Sequence, residues 1–65
     1  MKIAVNGAEL ELDVVTLAAA LEALGYGDAV VATALNGRFV AARARAATPL
    51  AEGDRIEIVA PRQGG

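Results

Sequence analysis

Two Asn-Gly pairs, Asn6-Gly7 and Asn36-Gly37, each fall between short runs of apolar residues. Asn-Gly is the strongest short-range hairpin signal, because a type I′ turn needs positive φ at both central residues. Ahead of the first pair, Ile3 and Val5 share one strand face. After it, Ala8-Glu9-Leu10-Glu11-Leu12 alternates strictly, with Leu10 and Leu12 inward and both glutamates to water. The first twelve residues therefore predict a β-hairpin with one buried face. The second pair predicts a tight turn joining a strand over residues 30–35 to Arg38-Phe39-Val40.

Between the hairpins the period changes. Leu17, Ala20, Leu21 and Leu24 recur at spacings of three and four, Thr16 stands at the N-cap position, and Gly25 sits where a left-handed residue closes a helix. This predicts a helix over residues 16–24. Beyond the second hairpin the pattern is ambiguous: alternating Arg43 and Arg45 fit an edge strand, whereas the alanines of residues 41–47 fit a helical turn. Thr48-Pro49-Leu50 interrupts regular structure with Leu50 as a core plug, Glu52-Gly53-Asp54 reads as a turn, and residues 55–59 form a last strand with Ile56 and Ile58 inward.

One helix must then shield one face of the sheet, since nothing else covers those alternating leucines and isoleucines. The order β-β-α-β-(β)-β predicts an α+β, β-grasp (ubiquitin-like) fold. It has a mixed sheet of four to five strands, one helix packed on one face, and the first and last strands side by side in the middle. A ferredoxin-like fold needs a second helix, which no segment supplies. The core is small. The 55% hydrophobic fraction contains 16 alanines and only 18 Leu, Ile, Val and Phe, in a chain of 65 residues.

Chemistry within this body is sharply limited. There is no Cys and no His, hence no thiolate nucleophile, no disulfide, and neither the commonest general base nor the commonest metal ligand. The separated Asp13, Asp28 and Asp54 read as capping or turn residues rather than a metal site. A formal charge of −2 argues against a nucleic-acid partner. No apolar run approaches the roughly 18 residues of a membrane span, and the three apolar residues after Met1-Lys2 make no secretory signal. The expectation is a cytoplasmic protein that does not act on a membrane.

The end of the chain differs from the rest. After Val59 come Ala60-Pro61-Arg62-Gln63-Gly64-Gly65, and Pro61 cannot continue a central strand. This predicts a domain over residues 1–59 and a flexible arm over 60–65, with a reach of roughly 20 Å if extended. Gly64 and Gly65 have no Cβ and pass through channels too narrow for other residues. The Gly65 α-carboxylate is the least hindered acyl group a polypeptide presents. It is ionised at neutral pH, with a reference pKa of about 3.3–3.7, so chemistry there needs activation. The chain has no G-x-x-x-x-G-K-[ST] and no G-x-G-x-x-G with which to bind ATP itself.

With these residues together, the chain resembles the ThiS-type sulfur carriers of thiamin biosynthesis, in the ubiquitin-like β-grasp superfamily. The resemblance spans the whole length. It rests on residues 30–40 with the Leu35-Asn36-Gly37 turn, on residues 48–59, and on Gly64-Gly65. It implies that the Gly65 carboxylate is adenylated by an E1-like partner using ATP and converted to a thiocarboxylate with sulfur from a donor protein. A thiazole synthase then takes the sulfur. Gly64 implies entry into the partners' active sites. The chain itself is expected to have no catalytic residue, no metal and no bound cofactor, as a co-substrate rather than an enzyme. Family members often carry a bulky aromatic near 43–47, where this chain has Arg43-Ala44-Arg45-Ala46-Ala47.

Three alternatives share these features: a MoaD-like carrier of molybdopterin synthesis, a ubiquitin-like modifier that forms isopeptide bonds, and a non-covalent β-grasp interaction module. Among the remaining residues, Arg55 and Arg62 either steer an acidic partner or are solvated surface charges. Phe39 belongs either to an exposed docking patch or to the core, and Tyr26 reads as a loop anchor.

Overall fold

The computed structural model describes residues 1–61. The first hairpin forms as expected: β1 (Lys2–Val5) and β2 (Ala8–Glu11) pair antiparallel, with Ile3 opposite Leu10 and Val5 opposite Ala8. Its turn is left-handed at both central residues, Asn6 at φ 50° and Gly7 at φ 85°, as a type I′ turn requires. At the hairpin's open end the Met1 ammonium donates to the Leu12 carbonyl at 2.9 Å and lies 2.9 Å from the Glu11 carboxylate. The bond to Glu11 raises its pKa above the ordinary value of 8.0.

The change of period produces α1 (Leu17–Ala23). Thr16 is the N-cap, its Oγ1 accepting from the Ala19 N–H at 3.1 Å, and Gly25 closes the far end at φ 89°. The expected span of 16–24 thus counted the capping residue at each end. Leu17, Ala20 and Leu21 are its buried face.

β3 (Ala32–Leu35) and β4 (Arg38–Val40) form the second hairpin about Asn36-Gly37. β3 begins two residues later than the sequence pattern predicts. Its partner sets the limit: Ala32 stands opposite Val59, the last residue of β5 (Arg55–Val59), so Val30 and Val31 face no strand. Residues 41–47 resolve towards the helical reading, as a 3₁₀ helix over Ala42–Ala47. From it, Arg45 Nε donates to Thr33 Oγ1 at 3.0 Å and Nη2 donates to the Val31 carbonyl at 2.7 Å.

The strands make one mixed sheet in the order β2-β1-β5-β3-β4. β1 and β5 lie side by side and parallel at its centre, and the other pairs are antiparallel. This is the β-grasp arrangement the sequence predicts, with five strands. Ile3, Val5, Ile56 and Ile58 from the two central strands meet Leu17, Ala20 and Leu21 of α1, with Leu50 closing the same core. Each such large aliphatic side chain contributes about 1.5–3 kcal/mol through burial. Leu50 is held in place by its N–H bond to the Val15 carbonyl at 2.9 Å, and the Leu17 N–H is bonded to the Thr48 carbonyl at 2.9 Å. Residues 48–50 therefore lock onto the entry of α1.

Of the three aspartates, Asp54 alone carries the expected turn bonds among the described residues. Its Oδ2 accepts from the Ala51 N–H at 2.8 Å, whereas Asp13 and Asp28 have no side-chain hydrogen bond there. Among the described residues no cluster could hold a metal ion, and no helix is long and apolar enough to cross a membrane.

Candidate functional site

Side chains alternate across a strand, so the residues that do not face α1 share the opposite face of the sheet. The pairings place them in rows: Lys2 with Glu11, Ala4 with Glu9 and Arg55, Ala34 with Glu57 and Phe39, and Ala32 with Val59. Among the described residues no element covers this face. Its β2 side carries Glu9 and Glu11. Its β3–β4 side is apolar, with Phe39 74% and Val59 63% exposed above the small Ala32 and Ala34. Phe39 is therefore a surface residue and not part of the core.

Two shallow depressions mark this face. One, of about 220 Å³, is lined by Ala32, Thr33, Ala34, Phe39, Glu57 and Val59. The other, of about 420 Å³, is bordered by Ala4, Gly7, Gly37, Arg55, Ile56 and Glu57. Glu57 lies between them, so β5 runs through both depressions and its last residue, Val59, is also part of the apolar patch. The alanines make the patch: a larger side chain at 32 or 34 fills the space beside Phe39. Arg55 is exposed at the other end of β5 and makes no salt bridge among the described residues, consistent with a solvated charge.

β5 stops at Val59, and Ala60 and Pro61 follow it, exposed and outside any strand. Arg62 and the two residues expected to carry the chemistry, Gly64 and Gly65, lie outside the described residues. Up to Pro61, the structure places the exit of β5 beside the apolar patch. Both features thus lie at one end of the central strand.

What sequence patterning misses is a pair of side-chain clamps on β5. Asn6 Oδ1 accepts from the Ile58 N–H at 2.8 Å and its Nδ2 donates to the Ile58 carbonyl at 3.1 Å. Asn36 Oδ1 accepts from the Arg55 N–H at 2.9 Å and its Nδ2 donates to Asp54 Oδ1 at 3.0 Å. Asn-Gly signals the turns and says nothing of these bonds, since the partner of Asn6 is 52 residues away in sequence.

A five-stranded mixed sheet with one helix on one face, and an open apolar patch beside the exit of its last strand, defines the class of small β-grasp, ubiquitin-like proteins. A sequence model of the ThiS family matches residues 2–65. The fold is similar to the crystal structure of a thiamine biosynthesis protein, ThiS, from Geobacter metallireducens. The two share 30% sequence identity and a TM-score of 0.84 over 100% of both chains. Among curated proteins no sequence matches this chain significantly. The chain belongs to the ThiS family, the sulfur carriers of thiamin biosynthesis.

Proposed function

We propose that this chain is the sulfur-carrying co-substrate of partner enzymes in thiamin biosynthesis, with the Gly65 carboxylate as its working group. The observation that carries the reading is the family match through residue 65, which includes Gly64-Gly65, on a body whose last strand ends six residues earlier. A carboxylate oxygen attacks the α-phosphorus of ATP on an E1-like partner, pyrophosphate leaves, and an acyl-adenylate forms. Sulfide-level sulfur delivered by a donor protein then attacks the acyl carbon, the bond to the adenylate oxygen breaks, AMP leaves and a thiocarboxylate results. A thiazole synthase takes that sulfur from the acyl carbon, an oxygen from water or from the sulfur acceptor replaces it, and the carboxylate returns. In this reading the partners supply nucleotide binding, for which this chain has neither G-x-x-x-x-G-K-[ST] nor G-x-G-x-x-G, and proton transfer.

The open face supplies recognition in this reading. Phe39 and Val59 form the apolar anchor, and Gly64 and Gly65 thread the partner's channel, where a side chain would not fit. Incubation with the adenylating partner, ATP and a sulfur source is expected to replace one oxygen by sulfur on the last residue, read by intact and fragment mass spectrometry. A chain ending at Gly64 is expected to bind the partner but accept no sulfur. Sulfuration of that truncated chain, or recovery of the natural chain joined through Gly65 to protein lysines, overturns the proposal.

A further inference from the structure

Asn6 does more than permit a turn. β1 and β5 stay in register only as far as Val5 opposite Ile56. Main-chain bonds along this pairing come from alternate residues, Ala4 N–H to the Asp54 carbonyl at 3.0 Å and Asn6 N–H to the Ile56 carbonyl at 2.9 Å. The next amide in that series belongs to residue 8, which the turn has carried onto β2 opposite Val5. Ile58, only 6% exposed, is left with its N–H and C=O on the side that β1 has vacated. The Asn6 carboxamide takes both, and only Asn and Gln carry donor and acceptor together on one such fork. The side chain thus stands in for one further peptide group of β1.

We propose that Asn6 is a positioning residue for the C-terminal acyl group, an inference that rests on the sulfur-carrier reading above. β3 holds one side of β5 as far as Val59. Asn6 holds the other side as far as Ile58, so the residues that follow Val59 leave a strand fixed on both flanks. Without the clamp, the β1 flank of β5 is open beyond Ile56 and the segment from Ile58 to Pro61 loosens. Fewer docked complexes then hold Gly65 in line with the nucleotide, and small misplacements of reacting atoms lower rates steeply.

Asn36 provides the control. Its side chain also makes two bonds to the β5 segment, but at Asp54 and Arg55, the end remote from the arm. Asn6→Gly and Asn36→Gly each install a residue suited to positive φ and each remove two side-chain bonds. Both variants are compared below their melting temperatures by pyrophosphate release with the adenylating partner and ATP. Affinity is measured by calorimetry, and amide exchange is followed at Ile58.

For Asn6→Gly, kcat is expected to fall about tenfold with Kd within about twofold, and Ile58 exchange to accelerate. Asn36→Gly is expected to keep kcat within about twofold and to lose less stability, since its two bonds are exposed and those of Asn6 are part-buried. The kcat values are therefore compared at a temperature where both variants are fully folded. Asn6→Asp keeps the acceptor for the Ile58 N–H but sets a carboxylate oxygen against the Ile58 carbonyl. Its kcat is expected to fall at least as far as in Asn6→Gly, and it serves if Asn6→Gly does not fold. Equal kcat in the two glycine variants, or wild-type kcat in Asn6→Gly, overturns the role of Asn6 alone. A wild-type chain that releases no pyrophosphate overturns the carrier reading and the positioning role with it, whatever the exchange data show.

Discussion

At the scale of single residues, polar side chains bonded to groups far away in sequence add to what the apolar core defines. Thr33 is only 2% exposed, and its hydroxyl is satisfied twice, donating to the Val40 carbonyl at 2.8 Å and accepting from Arg45 Nε. Arg45 also occupies the Val31 carbonyl, just where β3 has no strand partner. A guanidinium reaches both acceptors because its donors are set in a rigid fork, which an ammonium lacks. Arg45→Met keeps the apolar stem and removes both bonds. It is expected to lower stability by about 1–3 kcal/mol, seen as a lower urea midpoint at unchanged slope. Arg45→Lys is expected to recover only part of the loss. Full recovery by Lys would show that the fork has no role.

At the scale of elements, α1 has only seven residues, too few to be stable alone in water. Thr16 and Gly25 define its ends, and its persistence depends on Leu17, Ala20 and Leu21 packing on the central strands. Leu17 is 0% exposed, so Leu17→Ala leaves a cavity beneath the helix. A loss of about 2–5 kcal/mol is expected, comparable with the total stability of so small a domain. Thermal melts followed by circular dichroism should show a markedly lower midpoint, and an unchanged midpoint would contradict the packing described. The same reasoning explains the short β3. A run of β-formers becomes a strand only where another strand offers bonds, and β5 ends at Val59.

At the scale of the molecule, the single helix leaves the sheet two-sided, one face closed by the core and one open. The open face is graded from Glu9 and Glu11 on β2 to Phe39 on β4, and β5 leaves the body beside its apolar part. If this face docks the adenylating partner, Phe39→Ala should weaken binding about tenfold or more by calorimetry, as loss of an aromatic anchor does. With Phe39 74% exposed, the same change should alter stability by no more than about 0.5 kcal/mol. Unchanged affinity would place the docking surface elsewhere.

Much of this was legible in the residues because it is local. Asn-Gly, alternating Leu and Glu, and a period of three and four each report the conformation of a few neighbours, and together they specify two hairpins, one helix and the β-grasp order. The terminal glycines suggest the proposed carrier chemistry through the family resemblance, and they lie outside the described residues. Other features depend on contacts between residues far apart in the chain. The exposure of Phe39 followed from the register of β3 against β4, the helical form of residues 42–47 brought Arg45 to Thr33, and the clamp on Ile58 needed Asn6 and β5 to meet across 52 residues. Local patterns set which way each segment folds. Which groups then meet depends on how the segments pack together, because hydrogen bonds and burial act over a few ångströms in space, whatever the separation along the chain.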